Sequence, residues 1–239
     1  MAKQTRNKRD PAGGKETATI AVERAYELIK ERSINFGFRP GKRINELELA
    51  SSLEMSRPTV REALNRLVMS NLVLFEPGKG FFGRKFSVTE LSELFTVRTD
   101  LELVSIRESC KSASDEAIAA LRQQLEETAK NQAGLEMKDV LALDEHFHIE
   151  LASLAGNAER ITMLRNINER IRFVRRINLE TRLGRHECIS EHIGITVAVA
   201  DRDVAKAAEL LRHHLGLNTR AIKNSLQQGL ARIYVDDVI

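Results

Sequence analysis

Along the first third of the chain, apolar residues return at two different periods. From Thr17 onward, Ile20, Val22, Ala25, Leu28 and Ile29 recur about every 3.6 residues, which predicts a helix ending near Gly37, ahead of a turn at Pro40-Gly41. Asn45 is placed to cap a short helix over 46–53 whose apolar positions are Leu47, Leu49, Ala50 and Leu53. Ser56 is placed to cap a second, over 57–71, with Val60, Ala63, Leu64 and Leu67 as its stripe. Pro58 fits its first turn, where backbone N–H groups have no intrahelical partner. The period then changes. Residues 72–86 read as two strand-like runs around the turn Pro77-Gly78-Lys79-Gly80.

Beyond the hairpin the helical period resumes. Ser87 and Glu90 form a capping-box pair ahead of Leu91, Leu94, Phe95, Val97, Leu101, Leu103 and Ile106. Further helical runs start at Ser114 or Asp115 and cover 139–155, 159–180, 185–200 and 204–226, with breaks at Gly156-Asn157 and Asp201-Arg202-Asp203. The stretch 195–200, ITVAVA, is β-branched but has no strand partner nearby, so it is read as helix. The expectation is a mainly α protein. A polar, disordered tail at 1–16 leads into a winged helix-turn-helix at 17–86, and residues 87–239 form an all-α antiparallel bundle of about six helices.

Charge separates the same two parts. The chain has 239 residues, with 37 Lys/Arg and 34 Asp/Glu. Residues 1–85 carry 17 basic and 10 acidic side chains, a net +7, and the remainder is mildly acidic. A basic head suits a polyanion. The longest apolar stretches, 72–75 and 195–200, are far too short to span a bilayer. The first 19 residues lack the apolar core of a secretory signal. Cys110 and Cys188 show neither a metal-ligand spacing nor a disulfide framework, which fits a reducing compartment. A cytoplasmic protein without a membrane partner is expected.

In a helix-turn-helix the start of the second helix faces base edges in the major groove. Arg57 and Arg61 lie one turn apart there, and arginine can donate bidentately to guanine. Lys79 at the hairpin tip suits a phosphate or minor-groove contact, and Gly80 allows close backbone approach. Two arginines alone would read as a solvated face. Helix, helix-turn-helix and basic-tipped hairpin in that order point to DNA.

The chemistry of the bundle lies in its histidines. Asp144 and His148 project from one helix face, whereas His146 is turned roughly 200° from Asp144. His192 and His214 stand nine residues before and eleven after the turn at 201–203, so a hairpin of helices brings them to one depth. One carboxylate and three imidazoles suit Zn²⁺, Ni²⁺ or Mn²⁺ with positions left for water or a ligand. An i,i+4 ion pair accounts equally well for Asp144 and His148 taken alone.

Residues 40–67 followed by 71–82 resemble the DNA-binding domain of the GntR superfamily of bacterial repressors. The family's Ser-Arg-Thr-Pro-Val-Arg-Glu-Ala-Leu string stands here as Ser-Arg-Pro-Thr-Val-Arg-Glu-Ala-Leu, with Pro58 and Thr59 exchanged. The resemblance implies that Arg57 and Arg61 read bases, that Ser56 and Thr59 hold phosphates or cap the helix, and that Lys79 and Gly80 form the wing contact. A helix-borne arginine that contacts DNA in some relatives falls on Leu47, so that role does not carry over. The segments LALDEHFHIELASLAGN and SEHIGITVAVADRDVAKAAELLRHHL are similar to the effector domain of the FadR-like branch, the FCD domain. That resemblance implies a divalent ion on Asp144, His148, His192 and His214 with a small carboxylate on its open positions. It also implies that Arg98, four residues before Glu102, faces the effector; an ion pair with Glu102 is the other reading.

The function expected is a ligand-responsive transcription regulator, a repressor, bound as a homodimer to an inverted repeat of double-stranded DNA. The rivals are a metal-dependent enzyme and a DNA-binding protein without an organic effector. A di-iron bundle needs two Glu-x-x-His motifs, and only Glu145 with His148 supplies one.

Overall fold

The computed structural model describes residues 11–35, 37–132, 134–181, 185–216 and 219–235. They form two compact units, divided between Lys85 and Phe86. The tail expected at 1–16 lies outside the described residues as far as residue 10. Residues 11–16 belong to the first helix, α1 (Pro11–Ile34), because proline is compatible with a first helical turn.

In the first unit, α1 packs on α3 (Arg57–Met69), and α2 (Glu46–Ser52) packs across α3. Both short helices start at the caps expected from sequence. Asn45 accepts from the N–H groups of Leu47 and Glu48, and Ser56 accepts from that of Thr59. Ala25, Ile29, Leu49, Val60, Leu64, Leu67 and Phe81 fill the core. The hairpin is β1 (Val73–Glu76) against β2 (Gly80–Gly83), antiparallel, with Val73 opposite Gly83 and Glu76 opposite Gly80. Residues 40–44 lie along β2: Ile44 N–H donates to the Phe81 carbonyl at 2.8 Å, and Gly83 N–H donates to that of Lys42 at 2.9 Å. A side chain at Gly83 would strike the Arg39 carbonyl, so glycine is required there by close approach.

The second unit holds seven helices among the described residues: α4 (Val88–Ser112), α5 (Asp115–Asn131), α6 (Met137–Ser153), α7 (Ala158–Thr181), α8 (Arg185–Ala200), α9 (Val204–Leu215) and α10 (Thr219–Val235). The count exceeds the expected six because the run 204–226 is split. Gly216 closes α9 with its N–H on the His213 carbonyl, and α10 starts anew at Thr219. Residues 195–200 are helical, as expected. Ser87 caps α4 through the Glu90 N–H, while the Glu90 carboxylate accepts from Arg170 Nη2 at 2.7 Å. Helices α8 and α9 pack side by side, α5 covers α8, and α4 lies against α6, α7, α9 and α10. Ile106, Phe147, Leu151, Ile195, Val199 and Leu211 form the core between them. Among the described residues no helix is long and apolar enough to cross a membrane.

Candidate metal centre and nucleic-acid interface

The first turn of α3 carries the candidate DNA contacts. Ser56 Oγ lies 2.7 Å from Thr59 Oγ1 and accepts the Thr59 N–H, so both hydroxyls are engaged in capping. Arg57 and Arg61 have 61% and 48% of their side chains exposed and share the carboxylate of Glu46 on α2. Arg61 Nη1 is 3.0 Å from both oxygens, and Arg57 Nε is 3.9 Å from one. Glu46 was not among the residues singled out from the sequence, although an acid in the first turn of the preceding helix was a readable signal. The arginine heads lie on the exposed side of these pairs, whereas Glu46 keeps only 10% of its side chain exposed. Lys79 stands exposed at the hairpin tip, 3.0 Å from Glu76 Oε2, and Gly80 has φ +99°.

In the bundle, α6, α8 and α9 bring Asp144, His148, His192 and His214 together. All four are buried. His214 Nε2 lies 3.1 Å from both His148 Nε2 and His192 Nε2. Asp144 Oδ1 lies 3.6 Å from His148 Nε2, 3.3 Å from His192 Nε2 and 3.6 Å from His214 Nε2. Two donors about 2.1 Å from one ion, at tetrahedral or octahedral angles, stand about 3.0–3.4 Å apart. Three of the five observed spacings fall in that range, and the two of 3.6 Å, from Asp144 Oδ1 to His148 and His214, lie just above it.

The far sides of two imidazoles decide what the near sides offer. His148 Nδ1 meets Glu102 Oε2 at 2.6 Å, and His214 Nδ1 meets Glu191 Oε2 at 2.7 Å. An ionised carboxylate can only accept, so each Nδ1 carries the proton and each Nε2 presents a lone pair. Two lone pairs 3.1 Å apart repel each other unless a cation lies between them. Burial favours the neutral rings: it pushes His148 down to about 4, with Glu102 opposing, and lowers His192 and His214 as well. Arg98 Nε donates to Glu102 Oε1 at 2.7 Å inside the protein, and with His148 it holds Glu102 below the usual carboxylate range despite burial. Phe147 stacks on His192 at 3.8 Å between centroids and fixes that ring. The donor set fits a divalent ion, with carboxylates behind the histidines as is usual for metal-binding imidazoles.

Three participants escaped the sequence reading. Arg175 on α7 contacts Asp144 Oδ2 through Nη2, which turns Oδ1 toward the imidazoles. Glu191, next to His192, serves His214 instead. Cys188, set aside on spacing, lies on α8 one turn before His192, with Sγ 3.4 Å from Asp144 Oδ1 and 3.7 Å from His192 Nε2. Asp144, Cys188, His192 and His214 together form a buried group able to hold a metal ion. The signal was present: Cys188 and His192 repeat the i,i+4 interval of Asp144 and His148. His146 and His213 are exposed and outside the cluster, and the side chain of His186 lies outside the described residues. Beside the centre is a cavity of about 40 Å³ lined by Phe95, Arg98, Arg175, Asn178 and Leu215. Arg98 Nη2 and Arg175 Nη1 are buried without a hydrogen-bond partner among the described residues. Arg98 is thus both ion-paired to Glu102 and open on its cavity side.

A winged helix-turn-helix followed in the chain by an all-helical bundle is the arrangement of a DNA-binding transcription regulator. Residues 21–82 match the bacterial regulatory proteins of the gntR family, and residues 93–217 match the FCD domain. The chain belongs to the GntR family and has the FadR-like arrangement with an FCD domain. It is 37% identical to the Nta operon transcriptional regulator of Aminobacter aminovorans, over 84% of this chain and 94% of that protein. It is 28% identical to the HTH-type transcriptional repressor GlaR of Escherichia coli, over 82% and 93%. Escherichia coli McbR/YncC shares the fold with a TM-score of 0.69 at 21% identity, covering 87% of this chain and 98% of that one. These relatives are regulators, and the enzyme alternative falls away.

Proposed function

We propose that this protein is a ligand-responsive repressor, acting as a cytoplasmic homodimer on an inverted repeat. One recognition helix reads only a few base pairs, so two-fold pairing supplies both affinity and specificity. In this reading Arg57 and Arg61 contact bases, Ser56 and Thr59 cap the helix beside the phosphates, and Lys79 with Gly80 contact the backbone through the wing. Asp144, His148, His192 and His214 hold a divalent ion. When bound, that ion supplies positive charge and open positions for a small carboxylate. Arg98 and Arg175 bind and orient the acid from the opposite side through their unpartnered N–H groups. The observation that carries the reading is the pair of imidazole lone pairs facing each other next to those two guanidinium groups.

The cavity also suggests how binding is transmitted. Room of about 40 Å³ accepts a few water-sized groups, enough for a carboxylate. A larger acid must displace the helices around it, and unequal affinity for the two packings is what a switch requires. Two measurements test this. In a mobility shift against the DNA upstream of its own gene, Arg57→Ala and Arg61→Ala should each abolish discrete complexes, and undiminished binding in both removes the base-reading role. Metal analysis should give one divalent ion per chain in wild type and none in a His148→Ala, His192→Ala double variant. A folded wild type without metal removes the sensing half.

A further inference from the structure

Cys188 projects toward the same point as Asp144, His192 and His214. It is buried and sits one helical turn from His192. Its Sγ distances of 3.4 and 3.7 Å are longer than the 3.1 Å between neighbouring imidazole nitrogens. Lengths of that size are compatible with a common centre, because bonds from zinc to sulfur are about 2.3 Å and those to nitrogen about 2.0–2.1 Å. The alternative is a thiol that merely donates to Asp144. A hydrogen bond to Asp144 explains one contact but not why the sulfur also lies 3.7 Å from His192 Nε2, the nitrogen that faces His214.

We propose that Cys188 supplies a thiolate to the ion at this centre, so that the site selects a borderline-soft ion such as Zn²⁺ or Ni²⁺ over Mn²⁺. The proposal rests on the metal-binding reading above. On binding, the thiol proton passes to solvent and a sulfur lone pair enters the coordination shell, so uptake of each ion releases a proton. Sulfur ligation favours softer ions, whereas a shell of imidazole, carboxylate and water alone leaves the choice to supply and geometry.

The test is X-ray absorption at the zinc edge on the full-length, zinc-loaded protein. Wild type should show a sulfur shell at about 2.3 Å beside nitrogen and oxygen donors at about 2.0–2.2 Å. Cys188→Ser should lose the sulfur shell and keep the others, while Cys110→Ser should change nothing. Loss of a partner behind a ligand already costs 10–100-fold in affinity, so loss of a ligand should weaken Zn²⁺ binding by about tenfold or more, with a smaller change for Mn²⁺. Should Cys188→Ser fail to fold, cobalt-loaded wild type decides: a near-ultraviolet sulfur-to-cobalt band upholds the proposal, and its absence overturns it. Zinc bound by nitrogen and oxygen alone in wild type overturns the cysteine role and leaves the four-ligand reading standing. A folded wild type that takes up no divalent ion overturns both.

Discussion

Each imidazole at the centre depends on the acceptor behind it. Glu102 and Glu191 hold the Nδ1 protons of His148 and His214, and an amide in either place could turn its NH₂ toward the ring and reverse the tautomer. Glu102→Gln and Glu191→Gln should therefore each lower divalent-ion affinity by 10–100-fold, to about the extent other such partners contribute, measured by competition with a chromogenic chelator. Acid should act on the same groups. Burial chiefly lowers His148 from 6.5 to about 4, and it lowers His192 and His214 too. Between those values the unfolded chain binds protons that the metal-free bundle excludes, so stability is intact above about pH 6.5 and falls as the pH drops toward 4. Urea unfolding of chelator-treated protein at pH 7.5 and 5 should show that loss, and His148→Gln should reduce it. At this scale the sequence was readable where spacing puts donors on one helix face, as for Asp144 with His148. It was silent on Arg175, because the role of a lone arginine on α7 is set by which helix packs against it.

Helix ends do as much as helix faces to align the centre. His192 and His214 meet because the turn between α8 and α9 is fixed, and Arg202 fixes it. With φ +59°, Arg202 sends its guanidinium to the end of α4, donating to the carbonyls of Ser109 and Ala113 at 3.1 and 2.8 Å and pairing with Asp115. Those carbonyls belong to the final turn of a helix, where intrahelical partners run out. Arg202→Ala should cost about 1–3 kcal/mol through the unsatisfied acceptors, seen as a lower urea midpoint, and should weaken metal binding as well. The turn itself was legible, since Asp203 is a good N-cap and accepts the Lys206 N–H at 2.9 Å. The staple across 89 residues of sequence was not, because nothing local marks which carbonyls a distant arginine will reach. The same limit hid the break at Gly216: glycine inside a strong helical period reads as tolerable until packing shows the chain turning.

For the molecule as a whole, two chemistries on one chain are of use only if each biases the other. The basic head and mildly acidic bundle were visible in the charge distribution, which separates the functions without showing how they communicate. Linkage supplies the missing constraint. If a small acid at the centre weakens operator binding by some factor, operator DNA must weaken acid binding by the same factor, typically about 5–150 for coupled sites. Calorimetry with a short dicarboxylate, run on free protein and on the operator-saturated complex, should return two affinities differing by the factor that a mobility shift reports for DNA. Chelation should abolish both effects together while leaving acid-independent DNA binding intact, because Arg57, Arg61 and Lys79 lie in the other compact unit. Identical acid affinities with and without DNA, alongside a mobility shift that still responds, would mean that the acid acts somewhere other than this centre. A response that survives chelation would mean that Arg98 and Arg175 suffice to hold the acid, and the imidazole cluster would then be structural.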